Sequence, residues 1–212
     1  MNGDPESVIK TVAIVDDDEP VRDSVDVLVR ACGYGTRTFE NASTFLEASL
    51  GEIACILLDV RLPDGDGIDI LQKLIDRGIK IPIVIMTGHG DVPMAVKAMR
   101  IGALDFIEKP FEPDELLAAV ERAVQQFAQA VEAQHRDADA RERLQRLTAR
   151  ETEVMQQLVL GRPNKVIAYE LGLSPRTVEV HRARVMEKTD AGSLSELVRL
   201  AIAAGIDPAQ ST

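Results

Sequence analysis

VAIVDDD, residues 12–18, runs four apolar residues straight into three aspartates, and the fold reads outward from it. IACILLDV at 53–60 repeats the pattern with one aspartate, Asp59, near its end. TRTF (36–39), IPIVIMTG (81–88) and ALDFIEKP (103–110) are further short runs of the same kind. Continuous Val- and Ile-rich runs without strict alternation suit parallel strands covered on both faces. Helical stripes lie between them: from Pro20 to Cys32, Val21, Val25, Leu28 and Val29 fall on one face. Asn41 is placed to cap the next helix, Asp64 to Gly67 forms a turn before the third, and Asp91 with Pro93 opens the fourth. Five strand-then-helix repeats predict an α/β domain built on a five-stranded, doubly wound parallel sheet.

Ligands of such sheets bind beyond the carboxyl ends of the strands. Asp16, Asp17, Asp59, Thr87 and Lys109 all fall at those ends. Carboxylates on neighbouring strand ends repel one another, so the arrangement calls for a cation, and Mg²⁺ around one reactive carboxylate is the economical answer. An aspartate is a weak nucleophile, and phosphoryl transfer needs alignment and charge stabilisation more than covalent help. Mg²⁺ takes a few carboxylates and waters and shares its remaining position with a phosphoryl oxygen. Lys109 supplies a compact positive charge on the other side. Arg61 and His89 flank the reactive carboxylate, either tuning its hydrolysis or serving as plain loop residues.

The chain's 212 residues suit two small domains, and its net charge of −11 is unevenly spread. From Arg141 onward 11 basic residues face 9 acidic ones, leaving 13 against 26 before it. The acidic part is unsuited to nucleic acid, whereas the C-terminal part is not excluded. A 3% aromatic content with no Trp argues against a base-stacking surface. Cys32 and Cys55 sit in apolar contexts and read as reduced core residues. MNGDPESVIK at the N-terminus has no charged-then-apolar signal, and no run approaches the ~18 apolar residues of a membrane span. The expectation is a soluble, cytoplasmic chain with no membrane partner.

From Glu112 to about Leu147 there is no Gly, and Pro113 suits a first helical turn. Leu117, Val120, Val124, Phe127 and Val131 form a stripe, after which the segment turns polar, as a solvent-exposed connecting helix would. Thr148 and Glu151 then make a capping box before a helix stopped by Gly161. Asn164 starts a short helix ended by Gly172, and Ser174 caps a third with Pro175 at its first position. Two short helices joined by Gly-Leu-Ser describe a helix-turn-helix. A fourth helix offers Leu194, Leu197, Val198 and Ile202 as packing.

At 100° per residue the third of these helices turns Val178, His181 and Val185 to one face, with His181 a packed residue rather than a ligand. Arg176, Glu179, Val180, Ala183 and Glu187 point away, flanked by Thr177, Arg184 and Lys188. A recognition helix sets exposed N-terminal residues on base edges and its flanks on phosphates. The candidate contacts are therefore Lys165, Arg176, Thr177, Glu179, Val180, Arg182, Ala183, Arg184 and Lys188. Val180 suits a thymine methyl, and Glu179 suits cytosine N4.

IVDDDEP, LLDVRLPDGDG, VIMTGHGD and DFIEKPF, in this order, resemble the receiver domain of two-component response regulators. LTARETEVMQQLVLGRPNKVIAYELGLSPRTVEVHRARVMEK resembles the LuxR-type output domain. The whole chain resembles FixJ-type response regulators of the NarL subfamily. That resemblance implies a receiver at 8–128, a helical linker at 129–143 and an all-α, four-helix helix-turn-helix domain at 144–208. It implies Asp59 as phospho-acceptor, with Asp16, Asp17, Asp59 and the backbone carbonyl of Arg61 holding Mg²⁺. Thr87 would bond a phosphoryl oxygen, Lys109 would pair with it, and Phe106 would change rotamer. A sensor histidine kinase, double-stranded promoter DNA, RNA polymerase and a second copy of the chain are the implied partners. The dimer contact is expected at about Val92 to Phe106, and nitrogen-fixation genes are the implied targets. Two other readings compete: a Mg²⁺ phosphatase acting on small phosphoesters, which leaves the helix-turn-helix idle, and a scaffold on which Asp59 never acquires phosphate.

Overall fold

The computed structural model describes residues 10–88 and 92–206, so His89 and Asp91 lie outside the described residues. The chain divides into two compact units, Met1–Ala130 and Val131–Thr212.

In the first unit the elements run β1 (Thr11–Val15), α1 (Glu19–Ala31), β2 (Gly35–Phe39), α2 (Ala42–Glu47) and β3 (Ile53–Asp59). A two-residue hairpin, β4 (Arg61–Leu62) and β5 (Gly65–Asp66), precedes α3 (Gly67–Asp76). Then come β6 (Ile83–Thr87), α4 (Val92–Ile101), β7 (Asp105–Glu108) and the start of α5 (Pro113–Gln145). The five long strands pair in parallel in the order β2-β1-β3-β6-β7. Strand order reverses between β1 and β3, which opens a crevice at their carboxyl ends.

All seven residues of β3 are buried, as its unbroken apolar run requires. Ile56 and Leu58 join Phe45, Leu71 and Leu74 on one face of the sheet. Cys55 and Leu57 join Val25, Val29, Leu116 and Val120 on the other. Each such fully buried Leu or Ile contributes ~1.5–3 kcal/mol. Burial also pushes the Cys55 thiol up to about 12. Cys32 departs from expectation: it caps the end of α1 and is exposed. In α5 the register is shifted by one residue at its start, since Leu116 is buried and Leu117 only half-buried.

The second unit holds the end of α5 with α6 (Ala149–Val159), α7 (Asn164–Leu171), α8 (Pro175–Thr189) and α9 (Leu194–Ala203). Val154, Leu158, Ile167, Val178, Val185 and Leu197 form its core. The Thr148–Glu151 capping box and the Ser174 and Ser193 caps set the helix starts. Gly172 ends α7 at φ +65°, a conformation that favours glycine.

Two expectations give way here. Leu194 and Ile202 are exposed, and Ala201 fills the α9 core position beside Leu197 and Val198. The polar second half of α5 is not uniformly solvated: Ala140 is buried and Leu144 packs on the core of α6 to α9. Small and aliphatic residues among charges form a stripe too sparse to stand out in the sequence.

Candidate functional site

The crevice at the strand ends collects the expected groups. β1 delivers Asp16 and Asp17, β3 ends on Asp59, and β6 ends on Thr87. The Lys109 amide donates to the Thr87 carbonyl at 2.7 Å, continuing the parallel register of β6 and β7 and setting the lysine beside the threonine. The Lys109 Nζ donates to Asp16 Oδ2 at 2.6 Å and to Asp59 Oδ1 at 3.1 Å. Asp16 is fully buried, Asp59 is 5% exposed and Thr87 is 1% exposed, whereas Asp17 reaches solvent.

Carboxylate oxygens of Asp16, Asp17 and Asp59 lie within 4.8 Å of one another. Three converging carboxylates, offset by a single ammonium, are an all-oxygen donor set that fits a hard divalent cation such as Mg²⁺. Burial raises the Asp59 pKa above its ordinary value; Lys109 pulls it back and the Asp16 charge adds to the rise. Burial alone would lower the pKa of Lys109, but the bond and charge of Asp16, then those of Asp59, outweigh it and hold the ammonium above its ordinary value.

Neighbouring backbone keeps this cluster in place. The Asp16 carbonyl accepts from Arg22 Nη1 at 2.7 Å, and Asp16 Oδ1 accepts from the Asp18 amide at 3.1 Å. Asp18, third of the aspartates, caps α1 through the Val21 amide at 3.2 Å. Gly67 closes the loop after Asp59: its amide donates to the Val60 carbonyl at 2.7 Å, and a Cβ there would sit 2.2 Å from the Asp59 carbonyl oxygen. Arg61 is exposed and opens β4 two residues beyond Asp59. Phe106 is half-buried and packs against the core on the α2–α4 side of the sheet.

In the C-terminal unit α8 carries a second candidate surface. Val178 and Val185 are buried, while Arg176, Glu179, Val180, Ala183 and Arg184 are exposed, as the wheel predicts. Lys165 is exposed on α7, and Thr177 and Arg182 are half-buried. His181 is half-buried with Nδ1 lacking a hydrogen-bond partner, in keeping with a packed residue.

Lys188 corrects the expectation of a cation free for phosphate. Its Nζ donates to Glu151 Oε2 at 2.6 Å, tying α8 to the start of α6. Glu151 is 2% exposed, and the Lys188 bond, then the Thr148 amide, holds its carboxyl down at about 2. The capping box is legible in the sequence, but its partner 37 residues away is not. Tyr169, 89% exposed on α7, carries no local signal either.

Among the described residues no helix is long and apolar enough to cross a membrane. Residues 12–121 match the model of the response regulator receiver domain, and residues 145–201 match that of the bacterial regulatory proteins of the luxR family. The transcriptional regulatory protein FixJ of Rhizobium meliloti is 50% identical over 200 residues, spanning 93% of this chain and 98% of that protein. Among solved structures, the response regulator StyR aligns with a TM-score of 0.80 at 41% identity, covering 91% of this chain and 98% of its own. Full-length FixJ from B. japonicum aligns with a TM-score of 0.57 at 46% identity, covering 93% and 98%. The two matched domains follow one another along a chain that aligns with these relatives over nearly their whole length, and the chain belongs to the FixJ-type response regulators, with a receiver domain followed by a LuxR-type DNA-binding domain.

Proposed function

We propose that this chain is switched by phosphorylation of Asp59 and acts on promoter DNA through α8. The observation that carries the reading is the convergence in one crevice of Lys109, 2.6 and 3.1 Å from Asp16 and Asp59, with Asp17, whose carboxylate lies within 4.8 Å of theirs. Asp16, Asp17, Asp59 and the Arg61 carbonyl are the groups that would hold Mg²⁺, which supplies charge neutralisation for phosphoryl oxygens when bound. A sensor histidine kinase is the donor. An oxygen of the Asp59 carboxylate attacks phosphorus, the bond from phosphorus to the donor breaks, and the donor leaves with the electron pair. Lys109, released in part from Asp59, pairs with the new phosphoryl oxygens, and the Thr87 hydroxyl donates to another. Water later cleaves the acyl phosphate, so the only chemistry is the chain's own phosphorylation and dephosphorylation.

The added charge of roughly −1.5 to −2 draws Thr87 inward, and Phe106 changes rotamer with it. The face of α4 supports a dimer as the outcome: Val92, Val96 and Met99 are 77%, 43% and 47% exposed there. Joining two DNA-binding units raises affinity by effective concentration. Arg176, Glu179, Val180 and Ala183 meet base edges, while Lys165, Thr177, Arg182 and Arg184 meet phosphates. By likeness to FixJ the product is activation of nitrogen-fixation genes with RNA polymerase as a further partner. The receiver spans 8–128, the linker 129–143 and the DNA-binding domain 144–208 in this reading.

Incubation with acetyl phosphate and Mg²⁺, followed by intact mass and sedimentation, tests it. One added phosphate and a shift from monomer to dimer are expected. A phosphorylated chain with unchanged sedimentation would remove the dimer, and no phosphate at all would remove the switch.

A further inference from the structure

Five residues beyond Asp59, the tip of the β4–β5 hairpin reaches across to a different helix. Asp64 Oδ1 accepts from the Ala42 amide at 2.8 Å, and Oδ2 accepts from the Ser43 amide at 2.9 Å and the Ser43 hydroxyl at 2.5 Å. Asn41 separately takes the Thr44 amide at 2.9 Å, so two side chains, one local and one distant, satisfy the first turn of α2. α2 has six residues, too few to hold a helix by its own hydrogen bonds, so the clasp serves helix and hairpin together. Those bonds keep the Asp64 carboxyl below its ordinary range, which makes them charge-assisted.

At its other end the hairpin touches the chemistry. Arg61 opens β4 two residues beyond Asp59 and pairs with Asp66 across the hairpin, and the Gly67 amide closes the hairpin's base on the Val60 carbonyl at 2.7 Å, next to Asp59. Leu62 is buried in the same apolar cluster as Ala42 and Phe45, so the hairpin's inner side is seated on the core. Its outer tip is held by Asp64. The hairpin is thus a short lever, with Asp59 under one end and the start of α2 under the other.

We propose that Asp64 is a positioning residue: by clasping the N-terminus of α2 it fixes the hairpin, and through the backbone at Val60 and Arg61 it fixes the orientation of the Asp59 carboxylate for attack on phosphorus. This rests on Asp59 being the phospho-acceptor. Loss of the clasp loosens the hairpin and with it the backbone at Val60 and Arg61 that follows Asp59, and misplacement of a reacting group by about 1 Å slows transfer by up to two orders of magnitude. Asp64 is engaged by α2 and is not among the carboxylates that converge on Asp59, so with Mg²⁺ saturating the half-saturating donor concentration is left unaltered.

The test uses the full chain with Asp64→Ala, Ser43→Ala and, as a control, Asp59→Asn. Two quantities are read: the saturating rate of phosphorylation by acetyl phosphate with Mg²⁺, and metal-free hydrogen exchange at the Arg61 amide. Asp64→Ala is expected to lower the maximal rate about tenfold with little change in the half-saturating acetyl phosphate concentration. Arg61 exchange should quicken in the same variant. Ser43→Ala, which keeps both amide bonds, should move both quantities in the same direction by less. A lower melting temperature with rate and Arg61 exchange unchanged would make Asp64 a helix cap and nothing more, overturning the proposal. If Asp64→Ala fails to fold, Ser43→Ala decides alone, and unchanged values there overturn it equally. Phosphate uptake by Asp59→Asn would instead remove the acceptor assignment beneath the proposal, an outcome distinct from normal rates in the Asp64 variant.

Discussion

The two units place their working groups in opposite ways. In the receiver, Asp16, Asp59 and Thr87 are buried at the ends of three strands, and Lys109 follows a fourth. In the DNA-binding unit, Arg176, Glu179, Val180, Ala183 and Arg184 are exposed along one helix. A buried charge cluster survives only if the surrounding fold satisfies it, so each of its members is coupled to the sheet. An exposed helix face makes no such demand, and its residues are free to change without loss of the fold. The first site is therefore a property of the architecture; the second is a pattern written on a scaffold that would fold with another pattern.

The contrast is sharpest at the acceptor. Asp59→Asn keeps the shape of the side chain and removes its nucleophilic charge, so phosphate incorporation should vanish while circular dichroism stays that of the parent. Stoichiometric phosphate of any kind on the variant would break the architectural account at its centre.

Backbone crowding gives the next effect. A Cβ on residue 67 would meet the Asp59 carbonyl oxygen at 2.2 Å and the Val60 Cα at 2.8 Å, with only backbone to yield. Gly67→Ala should cost about 3 kcal/mol in urea unfolding, the upper part of the usual range for overpacking. Ala at exposed positions of α8, such as Glu179→Ala, should stay within about 0.5 kcal/mol of the parent. Equal losses at the two places would erase the distinction between the units.

Much of this was legible in the sequence, and the limit is physical. Apolar runs ending in Asp16, Asp59 and Thr87 expose both sheet and crevice because a parallel sheet must carry its polar groups at the strand ends. Caps at Asn41, Thr148 and Ser174 were readable because a cap and its helix lie within four residues. Contacts made between elements were not: the Asp64 clasp spans 21 and 22 residues and the Lys188–Glu151 bond spans 37, with no periodicity to announce either. The outward placement of Leu194 and Ile202 escaped for the same reason, since which apolar face of α9 is covered depends on neighbours.

Lys188 lies on the boundary of the comparison, a residue of the DNA-facing helix drawn into a buried bond. Glu151 has a folded pKa of about 2 against an ordinary 4.5, so the folded state binds fewer protons than the unfolded one. Its contribution to stability is full above pH 4.5 and is lost as pH falls from there towards about 2. Glu151→Gln should therefore flatten the fall in stability across that window, seen by acid titration of melting temperature in parent and variant. Identical acid profiles would show the bond to be idle.

Smaller effects separate roles within the exposed surface. Lys165→Ala and Arg184→Ala should weaken binding to every DNA sequence alike and reduce the salt slope by about one each. Val180→Ala should instead change the preferred bases, by about 1–3 kcal/mol per affected pair, in selection from random DNA. An unchanged selected site with Val180→Ala would put base recognition elsewhere in the unit.

Coupling between the two units is the claim on which the rest depends. DNA-binding isotherms at one fixed salt concentration, with and without acetyl phosphate and Mg²⁺, measure it directly in the parent chain and in Asp59→Asn. Phosphorylation should tighten binding in the parent and leave the variant where it started. Equal tightening in both, or no change in a parent carrying one phosphate per chain, would contradict control of the exposed helix by the buried aspartate.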